Sequence, residues 1–127
     1  MKNEYHGWLD KAEEDSIACD ALMKSERVPY SVVCFHAQQM AEKYLKAYLT
    51  FLNVEFRKTH DLVMLLDEYC IPANAELTKI RNYTIILCDY SINTRYPGNF
   101  YLLGITEAKE AIDAANCIKE IILKQIG

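Results

Sequence analysis

Apolar residues recur every three to four positions along most of the chain, which is the spacing of one face of an α-helix. The pattern predicts helices over roughly residues 4–25, 29–52, 59–71, 74–93 and 106–126. No segment alternates with the period of two that a half-buried strand shows, and no internal repeat is present. The sequence therefore predicts one all-α domain over residues 1–127, an up-and-down bundle of about five helices with short connections.

Local chemistry predicts where some of these helices begin and end. Thr59 is the expected N-cap of the third helix, with Asp61 in its first turn, where a negative charge is favoured by the helix dipole. The pair Ile71-Pro72 is expected to end that helix, because a proline inside a helix costs a backbone hydrogen bond. Thr106 is the expected cap of the last helix.

The second predicted helix has an apolar side and, opposite to it, a narrow polar stripe. The stripe consists of His36, Gln39, Lys43, Lys46 and Thr50. The basic turn Arg57-Lys58-Thr59-His60-Asp61 follows the helix. Between residues 43 and 60 there are four Lys or Arg residues and one acid. A local excess of positive charge on an acidic protein predicts a site for a phosphate-sized anion.

Composition narrows the class of function. The chain has 127 residues, a formal net charge of −4, 51% hydrophobic and 25% charged residues, which describes a globular domain and argues against broad DNA binding. The five cysteines lack C-x-x-C spacing, so free thiols are expected rather than disulfides or zinc. No signal peptide and no apolar run of the ~20 residues of a membrane span is found. We therefore expect a cytoplasmic protein without a metal or cofactor.

Several charged residues allow two interpretations. The polar stripe of the second helix is either part of a ligand site or a solvated helix face. Asp15 lies beside the apolar stripe of the first helix and needs a partner, for which Lys43 and Arg95 are candidates. His60 either bonds the backbone at a helix entry or contacts a ligand. Arg81 and Arg95 either clamp a phosphate or pair with nearby carboxylates.

The fourth predicted helix carries more apolar surface than one packed neighbour needs. Ile85 and Ile92 lie about 100° from the centre of the stripe formed by Ile80 and Leu87. The bundle either surrounds this helix on two sides or leaves a seam for a symmetric dimer. The sequence favours the homodimer.

In combination, several motifs resemble the HEPN domain family. They follow one another along nearly the whole chain: Cys34-Phe35-His36-Ala37-Gln38-Gln39-Met40-Ala41-Glu42-Lys43, Lys46-Ala47, Thr59-His60-Asp61-Leu62 and Thr94-Arg95-Tyr96-Pro97. Such domains are small helical bundles that typically dimerise. Many are encoded beside a minimal nucleotidyltransferase as toxin and antitoxin partners, and others are fused to one. The resemblance, to the nucleotidyltransferase-associated type, thus implies a role with nucleotides or RNA.

The resemblance also bears on catalysis. Many HEPN proteins are metal-independent ribonucleases with an R-x(4–6)-H motif near the start of the penultimate long helix. The best match begins at Arg81, and the positions for the histidine hold Ile86, Leu87 and Cys88. None of these side chains transfers a proton at neutral pH as imidazole does. The resemblance therefore implies no catalytic residue, although Arg81 can still bind phosphate.

Three functions remain open at this point. The first is a non-catalytic domain that binds a nucleotide, an RNA or a partner minimal nucleotidyltransferase. The second is a toxin-type endoribonuclease with a diverged active site, and the third is a purely structural subunit. The residues expected to contact a ligand are His36, Gln39, Lys43, Lys46, Arg57, Lys58, His60, Arg81 and Arg95.

Overall fold

The residues that the structure describes form five helical segments and no strand. The structure is a computed structural model that describes residues 4–88, 90 and 103–127. Helix α1 covers Tyr5–Met23 and helix α2 covers Tyr30–Phe51. The all-α bundle of about five helices that the apolar spacing predicts is confirmed.

The third and fourth helices are less regular than the first two. Helix α3 starts as an α-helix over Leu62–Met64, widens to a π-helix over Leu65–Cys70 and ends with an α-turn over Ile71–Ala73. Helix α4 starts as a 3-10 helix over Ala75–Ile80 and continues as an α-helix over Arg81–Cys88. Helix α5 covers Ile105–Ile126.

Helix α2 lies at the centre of the bundle. It packs most extensively against α1 on one side and against α5 on another. Thirteen of its 22 residues are buried, so little of its circumference is left to face solvent. The largest fully buried side chains come from α2, α3, α4 and α5, and they include Leu45, Leu49, Leu66, Leu77 and Ile118. The apolar positions predicted for α4, namely Leu77, Ile80, Thr84 and Leu87, are all buried.

Three predicted helix boundaries are wrong, namely both ends of α3 and the start of α5. Asp61, not Thr59, caps α3, because the Asp61 carboxylate accepts a hydrogen bond from the Met64 amide at 3.1 Å. Thr59 lies two residues earlier, where its hydroxyl accepts from the Asp61 amide. Pro72 lies within α3, which ends only after Ala73, and the wider π-helical turns before it accommodate the proline ring.

The cap of α5 also differs from the prediction. Gly104 is the N-cap rather than Thr106, which lies in the first turn of the helix. The Gly104 amide donates to the Glu107 carboxylate at 2.7 Å, so a side chain three residues into the helix satisfies the cap. The predicted turn at residues 95–99, the end of the fourth helix to Asn93 and the side chains of Ile92 and Arg95 lie outside the described residues.

Candidate functional site

The segment between α2 and α3, residues 52–61, carries the predicted basic turn and is here termed the basic loop. It begins with a change of backbone direction at Asn53, whose φ of 58° is left-handed. The Val54 amide donates to Leu49 carbonyl at 2.9 Å and the Asn53 amide to Thr50 carbonyl at 3.0 Å, which closes the end of α2. The chain thus leaves α2 in a defined direction.

Three contacts hold the far end of the basic loop against the bundle. The Arg57 amide donates to the Tyr69 hydroxyl at 3.2 Å, and the ring of Phe56 packs edge-on against the same tyrosine. On the other side, the Gln38 side-chain amide donates to the His60 carbonyl at 3.1 Å. The basic loop is therefore fixed to both α2 and α3.

The first group of charges centres on Asp15, which projects from α1 towards the polar stripe of α2. The Asp15 carboxylate contacts His36 Nδ1 at 2.8 Å and Lys43 Nζ at 2.5 Å. Only 9% of the Asp15 side chain is exposed, so the carboxylate depends on these two partners. Of the two candidate partners of Asp15, Lys43 is in contact with it, and Arg95 lies outside the described residues.

The second group centres on Glu42, which is almost fully buried. Lys46 Nζ lies 3.0 Å from the Glu42 carboxylate, and His60 Nδ1 lies 3.1 Å from both of its oxygens. The Lys46 ammonium also lies 5.4 Å from the centre of the Trp8 ring, at a distance typical of a cation–π contact. Lys46 is 8% exposed and Glu42 is 3% exposed, so this pair is not a surface ion pair.

Together these groups form the α2 network, which comprises Asp15, His36, Gln38, Gln39, Glu42, Lys43 and Lys46. Taking charges out of water is costly, and a buried pair offsets that cost only when its geometry and hydrogen bonds are good. Here no buried side-chain nitrogen or oxygen of the described chain lacks a hydrogen-bond partner. Four of the five stripe residues, His36, Gln39, Lys43 and Lys46, are therefore buried or half-buried and paired with neighbouring side chains, unlike the residues of a solvated helix face.

The cations of the basic loop are in a different situation. Arg57 is 67% exposed and lies 3.6 Å from Glu68, whose side chain is 53% exposed. His60 keeps 62% of its side chain exposed although one ring nitrogen contacts Glu42. Lys58 is exposed and has no ion-pair partner within the described residues. Among the predicted site residues of α2 and the basic loop, these three are the exposed ones.

The structure does not join the predicted residues in one cationic pocket, because acids lie between them. His36 and Lys43 share Asp15, whereas Lys46 and His60 share Glu42. Gln39 donates to the Gln38 side chain at 2.8 Å, within the same network. The i,i+4 spacing of Glu42 and Lys46 was a signal for one pair, and Lys43 was a candidate partner of Asp15. Nothing in the sequence indicated that His36 and His60 share these two carboxylates.

Arg81 stands apart from this region at the start of the α-helical part of α4. Its guanidinium binds Asp67 of α3 through two nitrogens, both at 3.0 Å, and the hydrogen bond to Asp67 raises the pKa of Arg81. Of the positions where the ribonuclease motif has histidine, Leu87 is buried and Ile86 and Cys88 are half-buried. Arg81 therefore serves as a link between α3 and α4.

The thiols offer no nucleophile in the core. All five cysteines are free. Burial raises the pKa of Cys19 and of Cys70 to about 12 and that of Cys34 to about 11, so these side chains stay protonated at neutral pH. Within residues 4–88, 90 and 103–127, no group of three or more His, Cys, Asp or Glu side chains is arranged to hold a metal ion. No helix in those ranges is long and apolar enough to cross a membrane.

Comparison with known proteins places this geometry in context. The family model described as the HEPN domain matches residues 5–126. Among solved structures, the chain resembles the crystal structure of ST0689, an archaeal HEPN homologue, with 27% sequence identity, a TM-score of 0.77 and coverage of 100% of both chains. The comparison with curated proteins finds no match.

The buried pair at Glu42 leads to a prediction about stability. The substitution Glu42→Gln keeps the side-chain volume but removes the charge that compensates Lys46. We expect the free energy of unfolding in a denaturant titration to fall by about 3 kcal/mol, because a buried charge is left without its partner. The double variant E42Q/K46M should recover much of this loss.

The matched control is Asp67→Asn at the exposed pair with Arg81. This change should cost less than about 1 kcal/mol, because solvent screens an exposed ion pair. If Glu42→Gln and Asp67→Asn had equally small effects, or if the double variant were less stable than Glu42→Gln alone, the compensating role of Glu42 would be wrong.

Proposed function

The chain belongs to the HEPN family, and from that membership we propose that it binds a nucleotide or an RNA through phosphate contacts at the basic loop, without catalysing a reaction. The observation that carries the proposal is the exposure of Arg57, Lys58 and His60, three cationic or protonatable side chains within four positions. The remaining predicted ligand contacts from α2 are His36, Gln39, Lys43 and Lys46. They belong to the α2 network, which holds His60 of the basic loop through Gln38 and Glu42.

Competition with protein carboxylates favours the basic loop over the α2 network. A phosphate near His36 and Lys43 would have to displace Asp15, which would leave a nearly buried carboxylate without partners. At the basic loop, a phosphate competes only with the exposed pair of Arg57 and Glu68. Exposed pairs of this kind contribute little free energy, so a phosphate group replaces Glu68 at small cost.

The anchoring of the basic loop supports binding as well. Contacts with Tyr69 and Gln38 fix the backbone on both sides of Lys58 before any ligand arrives. Because less conformational freedom is then lost on binding, more of the electrostatic attraction appears as affinity. Arg81, which is already held by Asp67, and Arg95, which lies outside the described residues, remain secondary candidates for the same ligand.

The proposal predicts the salt dependence of RNA binding. For a short single-stranded RNA, ionic contacts from Arg57 and Lys58 give a slope of log K against log salt of about −1.4. Arg57→Ala and Lys58→Ala should each weaken binding and reduce the size of this slope by about 0.7, because each removes one phosphate contact. Fluorescence anisotropy with a labelled RNA measures both quantities.

Lys24→Ala is the control, since Lys24 is an exposed cation at the end of α1. It should leave the slope unchanged. If Lys24→Ala and Lys58→Ala weakened RNA binding equally, the attraction would come from charge spread over the surface and not from the basic loop. Absence of binding to RNA and to ATP would contradict the proposal and favour a purely structural subunit.

A diverged ribonuclease is the second candidate function, and one contact favours it. Asp15 holds His36 at 2.8 Å, and Lys43 contacts the other oxygen of the same carboxylate. A carboxylate that orients an imidazole is an arrangement found in general base catalysis, and a nearby ammonium can stabilise a developing negative charge. His36 keeps 29% of its side chain exposed, which allows contact with a substrate.

An RNA cleavage assay decides between the two functions. We expect the wild type, His36→Ala and His60→Ala to show the same background-level cleavage, because the motif histidine after Arg81 is absent. Cleavage by the wild type that either histidine variant abolishes would establish the ribonuclease and overturn the non-catalytic assignment.

We also propose a homodimer and a protein partner. Ile85 is 43% exposed on α4, and the HEPN resemblance supports association through such a face. A minimal nucleotidyltransferase, with the two proteins acting as toxin and antitoxin, is the heterologous partner that the resemblance supports, and both would act in the cytoplasm.

Light scattering after size exclusion tests the homodimer. The wild type should have twice the mass of one chain, and Ile85→Lys should shift it towards the monomer, because a charge placed in an apolar seam is not compensated there. Ile17→Lys on α1, where Ile17 is 59% exposed, is the matched control. A monomeric wild type, or equal dissociation by both variants, would contradict the assignment of the seam.

A further inference from the structure

A cavity of about 280 Å³ lies between α4 and α5, and it is built from other elements than the basic loop and the α2 network. The half-buried Ile121 provides an apolar wall, and Ile80, which borders the cavity, is fully buried. Four side chains with polar groups complete the lining: Lys79, Tyr83, Cys117 and Glu120. Such a mixture of apolar walls and a few convergent polar groups is typical of small-molecule sites.

The two charged residues of this cavity are not neutralised. Lys79 on α4 and Glu120 on α5 are both exposed, and neither forms an ion pair with the other or with any described residue. Elsewhere, the α2 network leaves none of its charged groups without a partner. Opposite charges on two walls of one cavity thus remain available to a ligand.

Tyr83 and Cys117 also line the cavity, each one helical turn from the charged residue of its own helix. Interaction with Cys117 raises the pKa of Tyr83. Both side chains are half-buried. The cavity consequently has a positive residue on its α4 side, a negative residue on its α5 side and an apolar surface.

This distribution of charge selects the ligand class. A nucleotide or another polyanion is disfavoured, because the Glu120 carboxylate would repel its phosphates. The volume is also below the range of about 300–1,000 Å³ that drug-sized ligands occupy. A small molecule with a carboxylate for Lys79, an ammonium for Glu120 and an apolar group for Ile121 matches the accessible lining.

We propose that the cavity between α4 and α5 is a binding site for a small apolar zwitterion, of the chemical class of a free aliphatic amino acid. Lys79 binds the carboxylate, Glu120 binds the ammonium group, and the aliphatic side chain packs against the half-buried Ile121. Neither the proposed RNA site nor the homodimer is needed for this site, which lies on residues of α4 and α5 alone.

The half-buried Cys117 lines the cavity, so the rate at which its thiol reacts reports occupancy. Cys88 serves as an internal control, because it is also a half-buried cysteine outside any disulfide but does not line the cavity. Alkylation by iodoacetamide is followed at each cysteine by mass spectrometry, with L-leucine, L-valine and L-methionine as probes. At about ten times its Kd, a bound amino acid should slow alkylation of Cys117 roughly tenfold by mass action. The rate at Cys88 should not change.

Two analogues test the requirement for both charges. Isocaproate has the carboxylate and aliphatic group of leucine without the ammonium, whereas isoamylamine has the ammonium without the carboxylate. Neither should protect Cys117 at the concentration at which L-leucine does. Equal protection by isocaproate would show recognition of an anion by Lys79 alone and would overturn the proposal.

Reversal of the charges provides the sharpest variant test. Lys79→Glu and Glu120→Lys should each abolish protection by the amino acid, whereas K79E/E120K should restore it, because a zwitterion can bind in the opposite direction. Lys24→Glu, at an exposed lysine outside the cavity, should leave protection intact. No protection by any of the three amino acids, or no restoration in the double variant, would overturn the proposal.

Discussion

Two nearly buried carboxylates, Asp15 and Glu42, determine how the polar side of the central helix is used. Each binds two nitrogen-bearing side chains, and one partner in each case comes from a lysine of α2. Because an uncompensated charge in this position would be strongly unfavourable, the packing of α1 on α2 and the position of the basic loop both depend on these contacts. His60 in particular links the loop directly to Glu42.

The same constraint separates structural cations from those that can bind a ligand. Lys43 and Lys46 are held inside the bundle, whereas Arg57 and Lys58 project from an anchored loop into solvent. At the proposed site, an incoming phosphate would meet preorganised cations without disturbing the core. Gln38 and Glu42 of the α2 network hold His60 and so support the loop that carries this site.

Much of the fold was predictable because helical spacing of apolar residues is a strong local signal, as at Leu77, Ile80 and Leu87. The errors arose where tertiary context decides, as at Pro72, which a π-helical stretch accommodates. Part of the candidate site was predictable too, since the exposed basic turn and the pair of Lys43 with Asp15 follow from charge and burial. The contact of Glu42 with both Lys46 and His60 was not predictable. The distance in sequence between Glu42 and His60 does not determine on which side of α2 the loop lies.

The central claim is that ligand phosphates contact the basic loop and leave the α2 network intact. Backbone amide NMR shifts recorded during a titration with ATP test this claim most directly, because they report on every part of the bundle at once. The account predicts that the largest shifts occur at residues 57–60 and that the amides of His36 and Lys43 change little. Largest shifts at His36, Lys43 and Lys46, or no localised shifts at saturating ATP, would contradict it.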